Sequence, residues 1–132
     1  MTNEPTLGGS KSNQSLQESE MIHQNIIHFS PLGIHQYTLK PDGRLVFTGG
    51  NPAADRILGI DHSVLIGKTI EEAFPPLVDT EVPARYHDAA KSGAVWQTEQ
   101  IGYDDKKIRG AFEVIAFKVK ENSMVAVFSD IT

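Results

Sequence analysis

The sequence NPAADRILG at residues 51–59 has the form of a short, capped helix. Asn51 is a favoured N-cap residue, because its side-chain oxygen can accept a hydrogen bond from a first-turn amide. Pro52 suits the first helical position, where its missing N–H would have no partner in any case. Gly59 suits the residue that leaves a helix in the left-handed conformation. These residues predict a helix that begins at Pro52 and ends before Gly59.

Runs of apolar and β-branched residues on both sides of this helix predict strands. Pro41, Asp42 and Gly43 predict a tight turn within the first hairpin, and three C-terminal runs joined by short polar turns predict an antiparallel meander. Thr69 and Glu72 match a capping box and begin another helix, which ends at Pro75. The predicted strands are 33–39, 44–48, 95–103, 108–119 and 124–128, and the other short helices are about 61–66 and 81–92. This order predicts an α+β domain with a five-stranded antiparallel sheet and short helices on one face.

The N-terminal residues divide into two segments. Residues 1–14 have almost no apolar side chains and predict a flexible leader. Residues 15–29 predict an amphipathic helix with a stripe formed by Ile22, Ile26 and Phe29. The predicted strand 108–119 carries apolar residues on both faces, including Ile115 and Phe117 on one of them. We therefore expect the stripe to cover the outer face of the sheet, alone or across a dimer interface, with the domain proper at 30–132.

Composition excludes several classes of protein. The chain has 132 residues, a formal net charge of -5 and no cysteine. Mild acidity argues against nucleic-acid binding, and the missing cysteines exclude disulfides and cysteine-ligated metal. No apolar run approaches the roughly 20 residues of a membrane span. We expect a cytoplasmic domain without direct membrane insertion.

Several short motifs, and their order along the chain, resemble those of the PAS (sensory box) family. The helix described above resembles the PAS pattern N-x-A-x-x-x-x-x-G, and Leu65-Ile66-Gly67-Lys68 resembles the hydrophobic-Gly-Lys step of that family. The other matching segments are Ser30-Pro31-Leu32-Gly33-Ile34, Asp42-Gly43 before Arg44-Leu45-Val46-Phe47, Gly110-Ala111-Phe112-Glu113-Val114 and Asp130-Ile131-Thr132. The resemblance covers about residues 15–132.

The resemblance implies a sensory and signal-transduction module of a bacterial multidomain sensor. It implies a homodimer and a C-terminal output domain in cis, most often a histidine kinase of a two-component system. Asp130 and Thr132 are suited to cap a following output helix, so we expect the signal to leave the domain there. An ordinary strand end is the alternative for these two residues.

A small-molecule pocket is expected between the inner face of the sheet and the helices of residues 51–92. The candidate lining residues are Tyr37, Phe47, Ile57, Leu58, Tyr86, His87, Phe112 and Val114. The alternative is that the apolar members of this set fill a solid core. The sequence does not distinguish a metabolite sensor from a ligand-free dimerisation module.

The sequence identifies no cofactor, and the leading expectation is that none is bound. The resemblance makes haem conceivable with His87 as the axial ligand, and flavin conceivable with Trp96 stacking on its ring. Light sensing through a cysteine adduct is excluded because the chain has no cysteine. The other histidines, His23, His28, His35 and His62, lack the spacing of a zinc motif, so no metal site is expected.

A small α+β enzyme is the remaining alternative. Tyr86, His87 and Asp88 stand together on a predicted helix. Adjacent residues of a helix do not face one another, so these three cannot form a catalytic set. The sequence also lacks a Gly-x-Ser-x-Gly elbow and a phosphate-binding loop. We therefore expect a non-catalytic module.

Overall fold

A computed structural model describes the backbone of residues 4–104 and 109–131 and the side chains of residues 17–98 and 110–131. Five antiparallel strands form one sheet in the order β2-β1-β5-β4-β3. The strands are β1 (Gly33–Leu39), β2 (Leu45–Gly50), β3 (Trp96–Asp104), β4 (Arg109–Lys120) and β5 (Ser123–Asp130). The helices are α1 (Glu4–Phe29), α2 (Pro52–Leu58), α3 (Ile70–Ala73) and α4 (Val82–Ser92), with 3₁₀ turns at His62–Leu65 and Pro75–Leu77. The predicted α+β class and five-stranded antiparallel sheet are confirmed.

The first hairpin runs further than the sequence predicts. Strand β2 extends to Gly50, because Gly49 and Gly50 continue the ladder opposite Gln36 and His35. Glycine lacks a side chain but keeps both of its backbone hydrogen-bonding groups, so it weakens a strand without ending it. The prediction that this strand ends at residue 48 is therefore wrong.

The predicted caps of the short helices are present. The Asn51 side chain accepts a hydrogen bond from the Ala54 amide at 2.9 Å, and Gly59 leaves α2 with a φ of 71°. Thr69 and Glu72 form the reciprocal capping box at the start of α3. These local bonds fix where each short helix begins, and they therefore fix the wall that faces the sheet.

Helix α1 begins earlier than the sequence predicts. Its backbone is helical from Glu4 rather than from residue 15, so residues 4–14 are not the predicted flexible leader. Once a helix has nucleated, each added residue gains a hydrogen bond at little further cost, and Pro5 is tolerated in the first turn.

The main hydrophobic core lies between the inner face of the sheet and helices α2 to α4. Aromatic residues occupy its centre, where the ring centroids of Tyr37 and Phe47 are 5.4 Å apart. Strand β1 approaches the ring of Phe128 so closely at Gly33 that a Cβ there would lie 2.4 Å from a ring atom. A larger residue at that position would therefore displace the ring from the core.

The outer face of the sheet has a smaller apolar cluster. Ile27 of α1 packs with Ile34 and Val125, and Phe117 lies at its margin. Ile115, also expected on this face, is 36 % exposed. The helix thus reaches the outer face, as predicted, and Ile27 is the one side chain in its described part, residues 17–29, that joins this cluster.

The predicted stripe of α1 does not make this contact. Ile22, Ile26 and Phe29 are 58 %, 62 % and 76 % exposed, whereas Ile27 is 9 % exposed. The hydrogen bond from the Asn51 amide to the Ile27 carbonyl fixes the rotation of the last helical turn and turns Ile27 toward the sheet. The prediction that the stripe packs on the sheet of its own chain is therefore wrong.

Candidate functional site

A cavity of about 60 Å³ lies between the inner face of the sheet and the helices. Strands β1, β4 and β5 form one wall, and the segment from α2 to α4 forms the other. Its lining residues are His35, Tyr37, Leu58, Phe74, Leu77, Val82, Tyr86, Phe112, Val114 and Phe128. The wall is mostly apolar, so the few polar atoms that reach it determine what it can bind.

Five of the eight predicted pocket residues line this cavity, namely Tyr37, Leu58, Tyr86, Phe112 and Val114. Phe47 is fully buried in the surrounding core, and Ile57 is half-buried against it. Neither of them lines the cavity.

His87 lies elsewhere, at a shallow groove on the far side of α4. The groove also contains Asp42, Arg44 and Glu71. His87 follows Tyr86 on the helix, and successive helical residues point in different directions, so only Tyr86 faces the sheet. The expectation that His87 lines the pocket is therefore wrong.

Three polar residues beside the cavity form a connected chain that the sequence did not predict. Oδ1 of Asp55 lies 2.6 Å from Nδ1 of His62, and the same oxygen accepts the His62 backbone amide at 3.0 Å. Nε2 of His62 lies 2.9 Å from Nε2 of His35. Both histidines are buried, whereas the Asp55 side chain is 45 % exposed. A polar path thus runs from the surface of α2 to the cavity wall.

Burial shifts the pKa of two titratable groups in the cavity wall, His35 and Tyr86. Desolvation, with a smaller contribution from His62, holds the pKa of His35 well below its ordinary value. Burial raises the pKa of the Tyr86 hydroxyl far above its ordinary range. At neutral pH the cavity therefore contains a neutral imidazole and a protonated phenol.

Asn51 joins three elements behind the cavity. Its Oδ1 accepts the amides of Ile34 and Ala54, and its Nδ2 donates to the carbonyls of Ile27 and Leu32, all at 2.8 to 2.9 Å. The buried amide thus satisfies all four of its hydrogen-bonding positions. It fixes the end of α1, the start of β1 and the start of α2 relative to one another.

Asp130, the predicted signal exit, is exposed at the end of β5 and pairs with Phe112 in the ladder. The amide of Ile131 extends this pairing by donating to the Ala111 carbonyl at 2.9 Å. Thr132 lies outside the described residues.

Neither haem nor flavin fits the cavity. Its volume of about 60 Å³ is far below the roughly 300–1,000 Å³ of sites for drug-sized ligands. His87, the expected axial ligand, lies on the other side of α4. Trp96 contacts the core, with its ring centroid 6.2 Å from that of Tyr86.

Neither metal sites nor membrane spans are found in the part of the chain that the structure describes. Within the described ranges, no three His, Asp or Glu side chains come together as metal ligands would. Within the same ranges, no helix combines the length and the apolar character needed to cross a membrane.

The fold is that of known PAS domains. A domain of a sensory box sensor histidine kinase/response regulator from Geobacter sulfurreducens matches with a TM-score of 0.66 at 13 % identity, over 87 % of this chain and 96 % of that one. The PAS domain of an HTR-like protein from Haloarcula marismortui matches with a TM-score of 0.63 at 18 % identity, over 87 % of this chain and 99 % of that one. A LOV protein from Rhodobacter sphaeroides matches with a TM-score of 0.65 at 14 % identity, over 87 % and 68 %.

Comparison by sequence finds no counterpart, since neither a protein-family model nor a curated protein matches the chain. The structural matches confirm the predicted PAS fold.

Proposed function

We propose that this chain is a non-catalytic sensory module that binds a small ligand in the cavity on the inner face of its sheet. The observation that carries the proposal is the cavity itself, which is lined by apolar side chains and reached by one imidazole, within a PAS fold. Binding sites are typically concave and apolar with a few placed polar groups. A volume of about 60 Å³ limits the ligand to a few non-hydrogen atoms unless the wall moves.

Native mass spectrometry and an absorbance spectrum of the purified protein test this role. A colourless protein that carries a small added mass, lost on denaturation, is the expected result. A library of small metabolites should also raise the melting temperature of the protein, because a ligand that binds only the folded state stabilises it. The absence of both a retained mass and a thermal shift would contradict the ligand-sensing role.

A ligand-free dimerisation module is the second candidate function, and the exposed stripe on α1 favours it. Ile22, Ile26 and Phe29 lie at helical spacing and are more than half exposed. An apolar stripe of this kind is suited to pair with the same stripe of a second copy. We propose that both roles operate in this chain, with residues 30–132 as the sensing unit and α1 as the dimer contact.

Sedimentation of the double variant Ile22→Glu/Ile26→Glu tests the dimer contact. We expect a dimer for the unaltered chain and a monomer of unchanged helicity for the variant, because two carboxylates cannot be buried in an apolar contact. Gln24→Glu adds a charge to an exposed position of the same helix and should leave the dimer intact. A monomeric unaltered chain, or a dimeric double variant, would contradict this contact.

We further propose that the signal leaves through the end of β5 to a C-terminal output domain, such as the kinase of the Geobacter sulfurreducens protein. Asp130 and Thr132 would cap the helix that joins the two. A cytoplasmic location in a bacterial cell is part of this proposal. Asp130→Ala in the full-length parent protein should uncouple output from ligand binding, and normal regulation in that variant would contradict the exit route.

A further inference from the structure

The chain of Asp55, His62 and His35 determines where protons reside beside the cavity. A carboxylate oxygen only accepts hydrogen bonds, so Nδ1 of His62 must carry the proton in its 2.6 Å contact with Asp55. At a pH where the His62 ring carries one proton, that proton is the one on Nδ1, and Nε2 is bare. The 2.9 Å contact between the two Nε2 atoms therefore needs its proton on His35.

The second ring nitrogen of His35, Nδ1, is then a hydrogen-bond acceptor. Burial keeps this imidazole neutral, and a neutral imidazole has one N–H. Because Nε2 holds that proton for His62, Nδ1 of His35 carries the acceptor lone pair of the ring. Asp55 thus sets the hydrogen-bonding character of a cavity residue through His62, although Asp55 itself does not line the cavity.

The groups that pack around His35 are mostly aromatic. The rings of Phe47, Phe74 and Phe128 pack against it from β2, from the turn after α3 and from β5, with centroids 4.6 to 5.4 Å away. The titratable groups that face it or the cavity are Asp55 from α2, His62 from the following turn, Tyr37 from β1 and Tyr86 from α4. The Tyr86 phenol remains a hydrogen-bond donor because burial raises its pKa.

We propose that the cavity selects small, largely apolar alcohols, whose hydroxyl group donates a hydrogen bond to Nδ1 of His35. This inference rests on the ligand-binding role proposed above. A hydroxyl group can donate to the bare nitrogen and accept from a phenol, whereas a carbonyl group can only accept. A ketone of the same size would leave the buried nitrogen unpaired, and sites built for a hydrogen-bond donor reject ligands that lack one.

Propan-2-ol and acetone form a matched pair of probes for this selectivity, because they have the same heavy-atom skeleton and differ in the donor. We expect titrations followed by NMR, at about pH 8 where histidine is normally neutral, to show about tenfold tighter binding of propan-2-ol. The ring nitrogen shifts should place the proton of His35 on Nε2 and that of His62 on Nδ1. Both readouts come from the same unaltered protein.

Two variants and a control locate the cause of the preference. His35→Phe should reduce the preference for propan-2-ol to less than about threefold. The introduced phenylalanine ring suits the aromatic surroundings of this position. Asp55→Ala should release the His62 proton from Nδ1 and weaken the preference in the same direction. Asp61→Ala removes a neighbouring carboxylate that binds Ser63 rather than either imidazole, and it should leave the preference intact.

The outcomes separate this inference from the proposed function. Equal binding of the two probes, tighter binding of acetone, or a His35 proton on Nδ1 would overturn the alcohol selectivity and leave ligand binding standing. If neither probe binds at concentrations below those that unfold the protein, the alcohol selectivity is overturned. That result would also count against the ligand-sensing role.

Discussion

The two faces of the sheet are covered in different ways. On the inner face, helices α2 to α4 bury aromatic residues such as Phe47 and Tyr86 and enclose a cavity with a polar path to the surface. On the outer face, Ile27 is the one described side chain of α1 in a small cluster, while its neighbours Ile26 and Phe29 remain exposed. The inner face is covered by helices of the same chain, whereas the helix on the outer face leaves apolar side chains exposed.

This difference divides the proposed roles between the two faces. A closed wall with few polar atoms is suited to recognise a small molecule. An open apolar stripe is suited to recognise a protein surface. The following predictions test how independent the two faces are.

Asn51→Ala should have the largest effect, because Asn51 bonds to α1 on the outer side and to α2 on the inner side. The variant leaves four backbone groups without their partner, three of them in buried bonds and one in a part-buried bond, and removes an N-cap. We expect a loss of about 3 kcal/mol or more in the free energy of unfolding, measured with urea. Asp61→Ala removes an exposed N-cap and should cost less than about 1 kcal/mol. Equal losses in both variants would show that the two faces are not joined at Asn51.

Ile27→Ala and Ile26→Ala form a matched pair on adjacent residues. Truncation of the buried Ile27 should lower the free energy of unfolding by about 2 kcal/mol, at the low end for a core isoleucine because its cluster is small. Truncation of Ile26 should change the stability of the monomer by less than about 0.5 kcal/mol and should weaken the dimer instead. A reversed order would mean that α1 binds the sheet through the predicted stripe after all.

The pH dependence of stability tests the inner face with a smaller expected effect. The pKa of His35 is lowered in the folded chain and is about 6.5 when unfolded, so between these values the unfolded chain binds more protons. Stability should therefore fall as pH falls below about 6.5, by up to about 1.4 kcal/mol per pH unit, and should receive no contribution from His35 above it. Urea unfolding between about pH 7 and pH 5 measures this slope.

Two histidine variants identify the source of that slope. His35→Phe should flatten it, whereas His28→Gln removes an exposed histidine and should leave it unchanged. An unchanged slope in His35→Phe would show that this imidazole is not the residue that titrates.

Local sequence signals predicted most of the fold. The cap at Asn51, the capping box at Thr69 and the glycine after α2 act over a few residues, so they can be recognised in the sequence and are present in the structure. The rotation of α1 could not be predicted in the same way. It depends on a bond between Asn51 and Ile27, which lie far apart in the chain.

The cavity was predicted only in part, because some of its contacts also join residues that lie far apart in the chain. Alternation along β1 and β4 placed Tyr37, Phe112 and Val114 on the inner face. The contact between His35 and His62 joins a strand to a turn 27 residues later, and no local spacing encodes it. One signal was available, since His35 has the same strand parity as Tyr37 and so had to face inward.

The hydrogen bonds of Asn51 also limit which residues can replace it. The site needs two donors and a double acceptor on a side chain of one fixed reach, all in a buried position. Aspartate supplies the acceptor but no donors, serine has only one donor, and glutamine places the amide one methylene too far. No other natural amino acid meets these demands. Related sequences that keep these four hydrogen bonds should therefore retain asparagine at this position, even where the cavity residues change.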